Sequence, residues 1–269
     1  MSAEIASGLV LAAALWAGVG ARRAATVWRW LSRASAALAW LLLATTLIAR
    51  GLAGRQWPLG TRFEFSLCFV WIMLTIQMLL ESYWPDRRAH AGVLAAIWVV
   101  SISTVVVPGS ARDVQPLPPV LRSAWLQGHV LTAMVAYGAF GVAMGLASAY
   151  LVGTLAPLSS AERAPQADRL AMADRLIALG FPWLTLAILT GAIWAQRSWG
   201  RYWGWDPKES WALITWLWYL WLLHVRTRSR WGGRAFAWLV LVGFGLVMFT
   251  FVGVPRLSDA LQLDTLHGY

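Results

Sequence analysis

Little in this 269-residue chain can do chemistry: four histidines, one cysteine and twelve acidic residues. An imidazole can carry a proton near neutral pH or ligate a metal. His90 lies beside Arg87 and Arg88 and reads as a solvated loop residue. His129 falls in the first turns of an apolar run, His224 near the end of another, and His267 in the last residues of the chain. The single Cys68 sits within Ser66-Leu67-Cys68-Phe69-Val70 and reads as a small buried hydrophobe. With no second cysteine, disulfide exchange and a thiolate zinc site are excluded. With no C-x-x-C-H, the chain cannot itself hold a thioether-linked haem.

The densest signal is Trp199-Gly200-Arg201-Tyr202-Trp203-Gly204-Trp205-Asp206-Pro207-Lys208-Glu209-Ser210-Trp211. Part of it is helix initiation: Asp206 as N-cap, Pro207 at the first helical position and Glu209 at the third, as in a capping box. Part is an interfacial aromatic belt. Neither accounts for four aromatic residues interleaved with two glycines over so short a stretch. Glycine lets backbone approach a ligand, and a floor of Trp199, Trp203, Trp205 and Trp211 suits a flat, apolar molecule. Arg201 and Lys208 could meet carboxylates at its edge. A porphyrin fits that description, and a quinone fits all but the anionic edge. His129 and His267 can both lie on the side of this loop, which would give bis-histidine iron ligation. His224 lies 15 residues beyond Glu209, roughly 22 Å along a helix. Beside Arg226 it reads as interfacial, with a ligand role as the sharper alternative. Glu64 is treated the same way.

These residues must be positioned by a membrane protein. Hydrophobic residues make up 59% of the chain and charged residues 13%, including 20 Trp, and the mean hydropathy is +0.59. Soluble domains carry about twice that share of charge. Eight apolar stretches, near 4–20, 34–50, 65–84, 92–107, 124–153, 174–195, 208–225 and 235–254, predict about eight transmembrane helices of an all-α, polytopic protein. The fourth is short for a span and the fifth long. The start of the chain runs straight into the first span and reads as no cleavable signal. Residues 108–122 contain four prolines and predict no long helix; residues 255–269 are too polar to span.

The net charge of +10 could suggest nucleic acid, but the arginines cluster between spans and nucleic acid is not expected as a partner. Loops 21–33, 81–91, 154–175 and 226–234 hold thirteen of the 22 basic residues. The positive-inside bias puts them in the cytoplasm, with both termini and the Trp-rich loop external.

The motifs resemble those of the CcsA (ResC) family of system II, or Ccs-type, cytochrome c biogenesis, within the haem-handling superfamily that carries a tryptophan-rich WWD motif. The resemblance rests on Gly191-Ala192-Ile193-Trp194-Ala195, the run WGRYWGWDPKESWALITW at 199–216, Leu223-His224 and Leu266-His267-Gly268-Tyr269. Upstream, Ser123-Ala124-Trp125-Leu126-Gln127-Gly128-His129-Val130 and Arg62-Phe63-Glu64-Phe65-Ser66-Leu67 match weaker family motifs. It covers about residues 60–269, and the motif's continuation differs from that of the system I relatives CcmC and CcmF. The chain departs from the family at the tail, at Val254-Pro255-Arg256 and at the residue before Leu223-His224; no departure removes a histidine.

The resemblance implies that His129 and His267 are external axial ligands to haem iron. It makes His224 a transmembrane ligand, and Trp199, Arg201, Trp203, Trp205, Asp206, Lys208 and Trp211 the haem platform. It implies transient binding of haem b as cargo, a CcsB-like membrane partner and apocytochrome c as client. Together the two membrane proteins would form a cytochrome c synthase, and no catalytic residue can be named. Residues 1–55 are expected to be N-terminal transmembrane helices, and 56–269 the haem-handling domain, in a bacterial inner membrane. The alternatives are a non-haem structural or quinone-binding subunit of a respiratory complex, and an ion carrier.

Overall fold

The computed structural model describes residues 2–22, 26–107, 112–114, 118–155, 160–228 and 233–261. Among these every regular element is helical: α1 (Ser2–Arg22), α2 (Thr26–Gly54), α3 (Arg62–Tyr83), α4 (Arg87–Val106), α5 (Ala124–Gly153), α6 (Ser160–Trp199), α7 (Pro207–Arg228), α8 (Gly233–Met248) and α9 (Val254–Ala260). A π-helical turn, Phe249–Gly253, joins α8 to α9 without a break. A 3-10 turn, Pro119–Leu121, lies in the proline-rich connection.

Among the described residues seven helices are long and apolar enough to cross a membrane: α1 to α6, and α8 with its continuation to Ser258. The eighth expected span, α7, has the length, about 33 Å for its 22 residues. Its Trp and Tyr residues lower its mean hydropathy. Several of those rings pack against neighbouring helices: Tyr219 is fully buried and stacks on Phe140 with centroids 3.7 Å apart. Trp216 donates its indole N–H to Thr185 Oγ1 at 2.9 Å.

The bundle is organised round α5, which packs against α3, α4, α6 and α8. Its small residues allow close crossings. A Cβ on Gly145 would lie 2.5 Å from Val93 Cα, and one on Gly92 would lie 2.7 Å from Gly145 O. Helices in lipid associate through such backbone approach, because apolar burial gains nothing there. On the other side of α4, α1 and α2 complete the group.

Three expectations are corrected. The expected loop at 154–175 is helical from Ser160, so α6 runs 40 residues, well beyond the bilayer core. Its projecting turn is tied down by Arg169, which grips Asp86 through Nε–Oδ2 at 2.6 Å and Nη2–Oδ1 at 3.1 Å. The short fourth span is a full 20-residue helix, because Asp86 caps α4 by accepting from the N–H groups of Arg88 and Ala89. His90 is not solvated: it is buried on α4, its Nε2 bonded to Trp84 O at 2.7 Å and its Nδ1 to Gln77 Nε2 at 2.9 Å. The carbonyl can only accept, so Nε2 carries the proton and Nδ1 accepts from the amide.

Candidate functional site

One end of the bundle gathers the starts of α3, α5 and α7, the end of α6 and the π-helical turn. Between them lies a cavity that is partly open to solvent. Its walls are mainly apolar, with His129, Tyr202, Lys208, Glu209 and Thr250 as polar groups.

His129 stands on the second turn of α5 and is held from α6. Its Nδ1 bonds to Ala187 O at 2.7 Å, which requires Nδ1 to carry the proton and makes Nε2 the basic nitrogen. A ring oriented in this way by a backbone carbonyl is prepared for metal ligation. The helices approach closely enough only because position 191 is glycine: a Cβ there would lie 2.7 Å from His129 Nδ1. Among the described residues no three His, Cys, Asp or Glu side chains group to hold a bare metal ion. The chemistry available is a single imidazole over an apolar floor.

The Trp-rich loop forms the cavity's rim. Asp206 caps α7, accepting from Lys208 N–H at 2.9 Å. Glu209 Oε2 reaches back to accept from Gly204 N–H at 2.7 Å and Asp206 N–H at 3.2 Å, the N3-to-N-cap half of the expected capping box. The loop's sharp path requires positive φ at Gly200 (76°) and Trp205 (56°). For a bulky residue such as Trp205 that is a strained conformation, held by the box on either side of it.

The predicted site residues divide by position. Trp203 and Lys208 line the cavity with His129. Trp205 stands edge-on to Trp203 with centroids 5.8 Å apart, and is 71% exposed. Trp199 packs edge-to-face on buried Trp194, and Trp211 on Phe249 with centroids 4.4 Å apart. Arg201 is exposed, its guanidinium folded over Gly204. Asp206 is buried as the cap. His224 is not in this group: it is exposed on α7, its Nδ1 bonded to Leu220 O at 3.2 Å. His267 lies outside the described residues.

Sequence reasoning missed Thr250 and Phe251, which reach the cavity from the π-helical turn. Val254 N–H bonds to Phe249 O, five residues back. Pro255 follows; it has no N–H for Phe251 O, and its ring crowds that carbonyl. π-turns of this kind recur at functional sites. Thr250 is fixed by Thr215 Oγ1 at 3.1 Å. Glu64 is structural: it is 3% exposed, caps α3 through Gly60 and Thr61 N–H, and pairs with Arg50 Nε at 2.9 Å.

Known proteins place this arrangement. A family model described as cytochrome C assembly protein matches residues 59–261. A cytochrome c biogenesis protein CcsA from Synechococcus elongatus is 33% identical over 277 residues, covering 85% of each chain. One from Parasynechococcus marenigrum is 34% identical, covering 84% of this chain and 83% of its own. Another, from a Synechococcus strain, is 33% identical over 94% of this chain and 91% of its own. Among solved structures, the cytochrome c heme lyase CcmF superposes with a TM-score of 0.74 at 17% identity, over 97% of this chain and 48% of that one. That likeness is one of fold. The match over most of the chain settles the family: this multi-pass helical protein belongs to the cytochrome c assembly proteins, among the CcsA-type proteins of cytochrome c biogenesis.

Proposed function

We propose that the chain binds haem b as a transient cargo and presents it, on the face of the Trp-rich loop, for covalent attachment to apocytochrome c. The observation that carries this reading is the His129 ring: it lines a mainly apolar cavity with Nδ1 held by Ala187 O, which leaves Nε2 as the basic nitrogen and the proposed ligand atom. Trp203 supplies a flat apolar wall and Lys208 a cation for a propionate. His267 is the proposed opposite ligand, and His224 the proposed contact on the route from the other side of the membrane. An exposed imidazole on α7 then finds its partner on a second chain, in keeping with a CcsB-like protein. Trp199, Trp205, Asp206, Trp211 and Arg201 shape the loop round the cargo. The protein's part is positioning. The orientation proposed has both termini and this loop external in a bacterial inner membrane. The division at residue 56 into N-terminal spans and haem-handling domain belongs to the same proposal.

The test is the spectrum of the full-length protein purified with its haem. The wild type is expected to show a Soret band with a six-coordinate signature, and His129→Ala/His267→Ala to lose that signature and most of the haem. Full haem load and an unchanged spectrum in the double variant would overturn the ligand assignment. A preparation with no Soret band would favour a quinone-binding or structural role.

A further inference from the structure

The end of the bundle opposite His129 holds a second, smaller cavity, partly open to solvent, between the end of α1, the first turns of α2, the end of α3 and the start of α4. Three arginines line it, Arg29, Arg33 and Arg87, against one carboxylate, Glu81. Arg33 Nε bonds to Glu81 Oε1 at 2.9 Å, which uses that charge. Arg29 Nε is buried and has no hydrogen-bond partner among the described residues. His90 borders the pocket with both ring nitrogens bonded elsewhere, and adds no compensating acceptor. A buried guanidinium N–H left unsatisfied is costly, and two guanidinium groups beyond the one ion pair call for an anion.

The surroundings indicate which anion. The pocket lies where four spans end, and the ends of spans are where a bilayer passes from hydrocarbon to headgroups. Its other walls are Trp16, Ala17, Gly20, Ser32 and Pro85, with Trp16 stacked on Trp28 at 5.4 Å. The same two helices present exposed Leu15, Val27 and Trp30 beside it, a surface for acyl chains. Basic pockets between transmembrane helices take anionic lipid headgroups in this way. We propose that the Arg29–Arg33–Arg87 pocket binds the phosphate of an anionic lipid headgroup. It holds the α1–α2 hairpin to α3 and α4, and is independent of the haem reading.

The experiment uses the full chain in neutral detergent. Phosphatidylglycerol is expected to raise the Tm by about 3–6 °C at roughly ten times its Kd, and native mass spectrometry to find it retained. Phosphatidylcholine and inorganic phosphate at equal concentration are expected to do neither. Arg29→Gln/Arg87→Gln should lose the shift, while Arg29→Lys/Arg87→Lys keeps part of it and Arg256→Gln, at an exposed site elsewhere, keeps all of it. An equal response to phosphatidylcholine, an equal response to inorganic phosphate alone, or an undiminished shift in the double Gln variant would each overturn the proposal. Because lipid selectivity is read on the wild type, a variant that fails to fold does not shield it.

Discussion

The imidazole of His129 fills the space where a side chain at Gly191 would begin: a Cβ there would lie 2.7 Å from Nδ1 and 3.0 Å from Cε1. The histidine's orientation is therefore set by α6 as much as by its own helix. Gly191→Ala is expected to push the ring off Ala187 O and, if His129 has its proposed role, to lower haem affinity about 10–100-fold, the usual cost of losing a ligand's orienting contact. The fold should survive, since overpacking of this kind costs about 1–3 kcal/mol. Haem titration followed at the Soret band, with Tm as the control, checks both halves.

Glu209 serves the Trp-rich loop. Its carboxylate accepts from Gly204 and Asp206 N–H, bracketing Trp205 in its positive-φ conformation. Glu209→Ala should cost about 1 kcal/mol as a lost cap and release the strain at Trp205. Hydrogen exchange over 200–206 should quicken while the transmembrane segments keep their protection. Glu209→Gln, whose amide oxygen can still accept, should stay near wild type.

How far the sequence could be read depended on the range of the interactions involved. The span of α5, Ala124–Gly153, coincides with its apolar run because lipid and core make the same demand on every turn. The cap at Asp206 and Glu209 was legible because it closes within four residues. The first turns of α6 were not, since outside the bilayer a helix has no need of an apolar run, and Arg169 fastens it through a residue 83 positions away. His90 misled for a similar reason. Its neighbours Arg87 and Arg88 suggest solvent, whereas its burial is decided by Gln77 and Trp84 on the preceding helix and its cap. Of the cavity, His129 and the Trp-rich loop stood out by residue type; Ala187, Gly191 and Phe251 take part through tertiary approach alone.

The ion pairs Arg169–Asp86 and Arg33–Glu81 sit at the same end of the bundle but in different solvent. The first has side chains 4% and 12% exposed, the second 44% and 18%. Arg169→Ala removes the cation from a half-buried carboxylate that keeps its helix-cap bonds, and is expected to cost about 1.5–3 kcal/mol. Arg33→Ala is expected to cost about 0–1 kcal/mol. Asp86→Ala should be at least as damaging as Arg169→Ala, because the carboxylate also caps α4. Thermal unfolding of the three variants in one detergent gives the ranking, and near-equal values for Arg169→Ala and Arg33→Ala would remove the clamp on α6.

Pro255 links backbone chemistry to the cavity most directly. With no N–H to offer Phe251 O, it leaves the chain to close through Val254 N–H to Phe249 O, and the resulting π-turn carries Thr250 and Phe251 into the cavity wall. Pro255→Ala supplies the missing donor and removes the ring's clash. The helix can then tighten into regular α geometry, which is worth up to about 3 kcal/mol. Tightening changes the residues per turn and rotates Thr250 away from Thr215, its partner at 3.1 Å. The expected outcome is a paradox of stability: Tm equal to or above wild type, with haem affinity reduced and the Soret maximum shifted. Thr250→Val separates the two effects, because it removes the hydroxyl pair while leaving Pro255 and the π-turn in place. If Pro255→Ala left both Tm and the haem spectrum unchanged, the π-turn would be a product of packing against α7 and not of the proline.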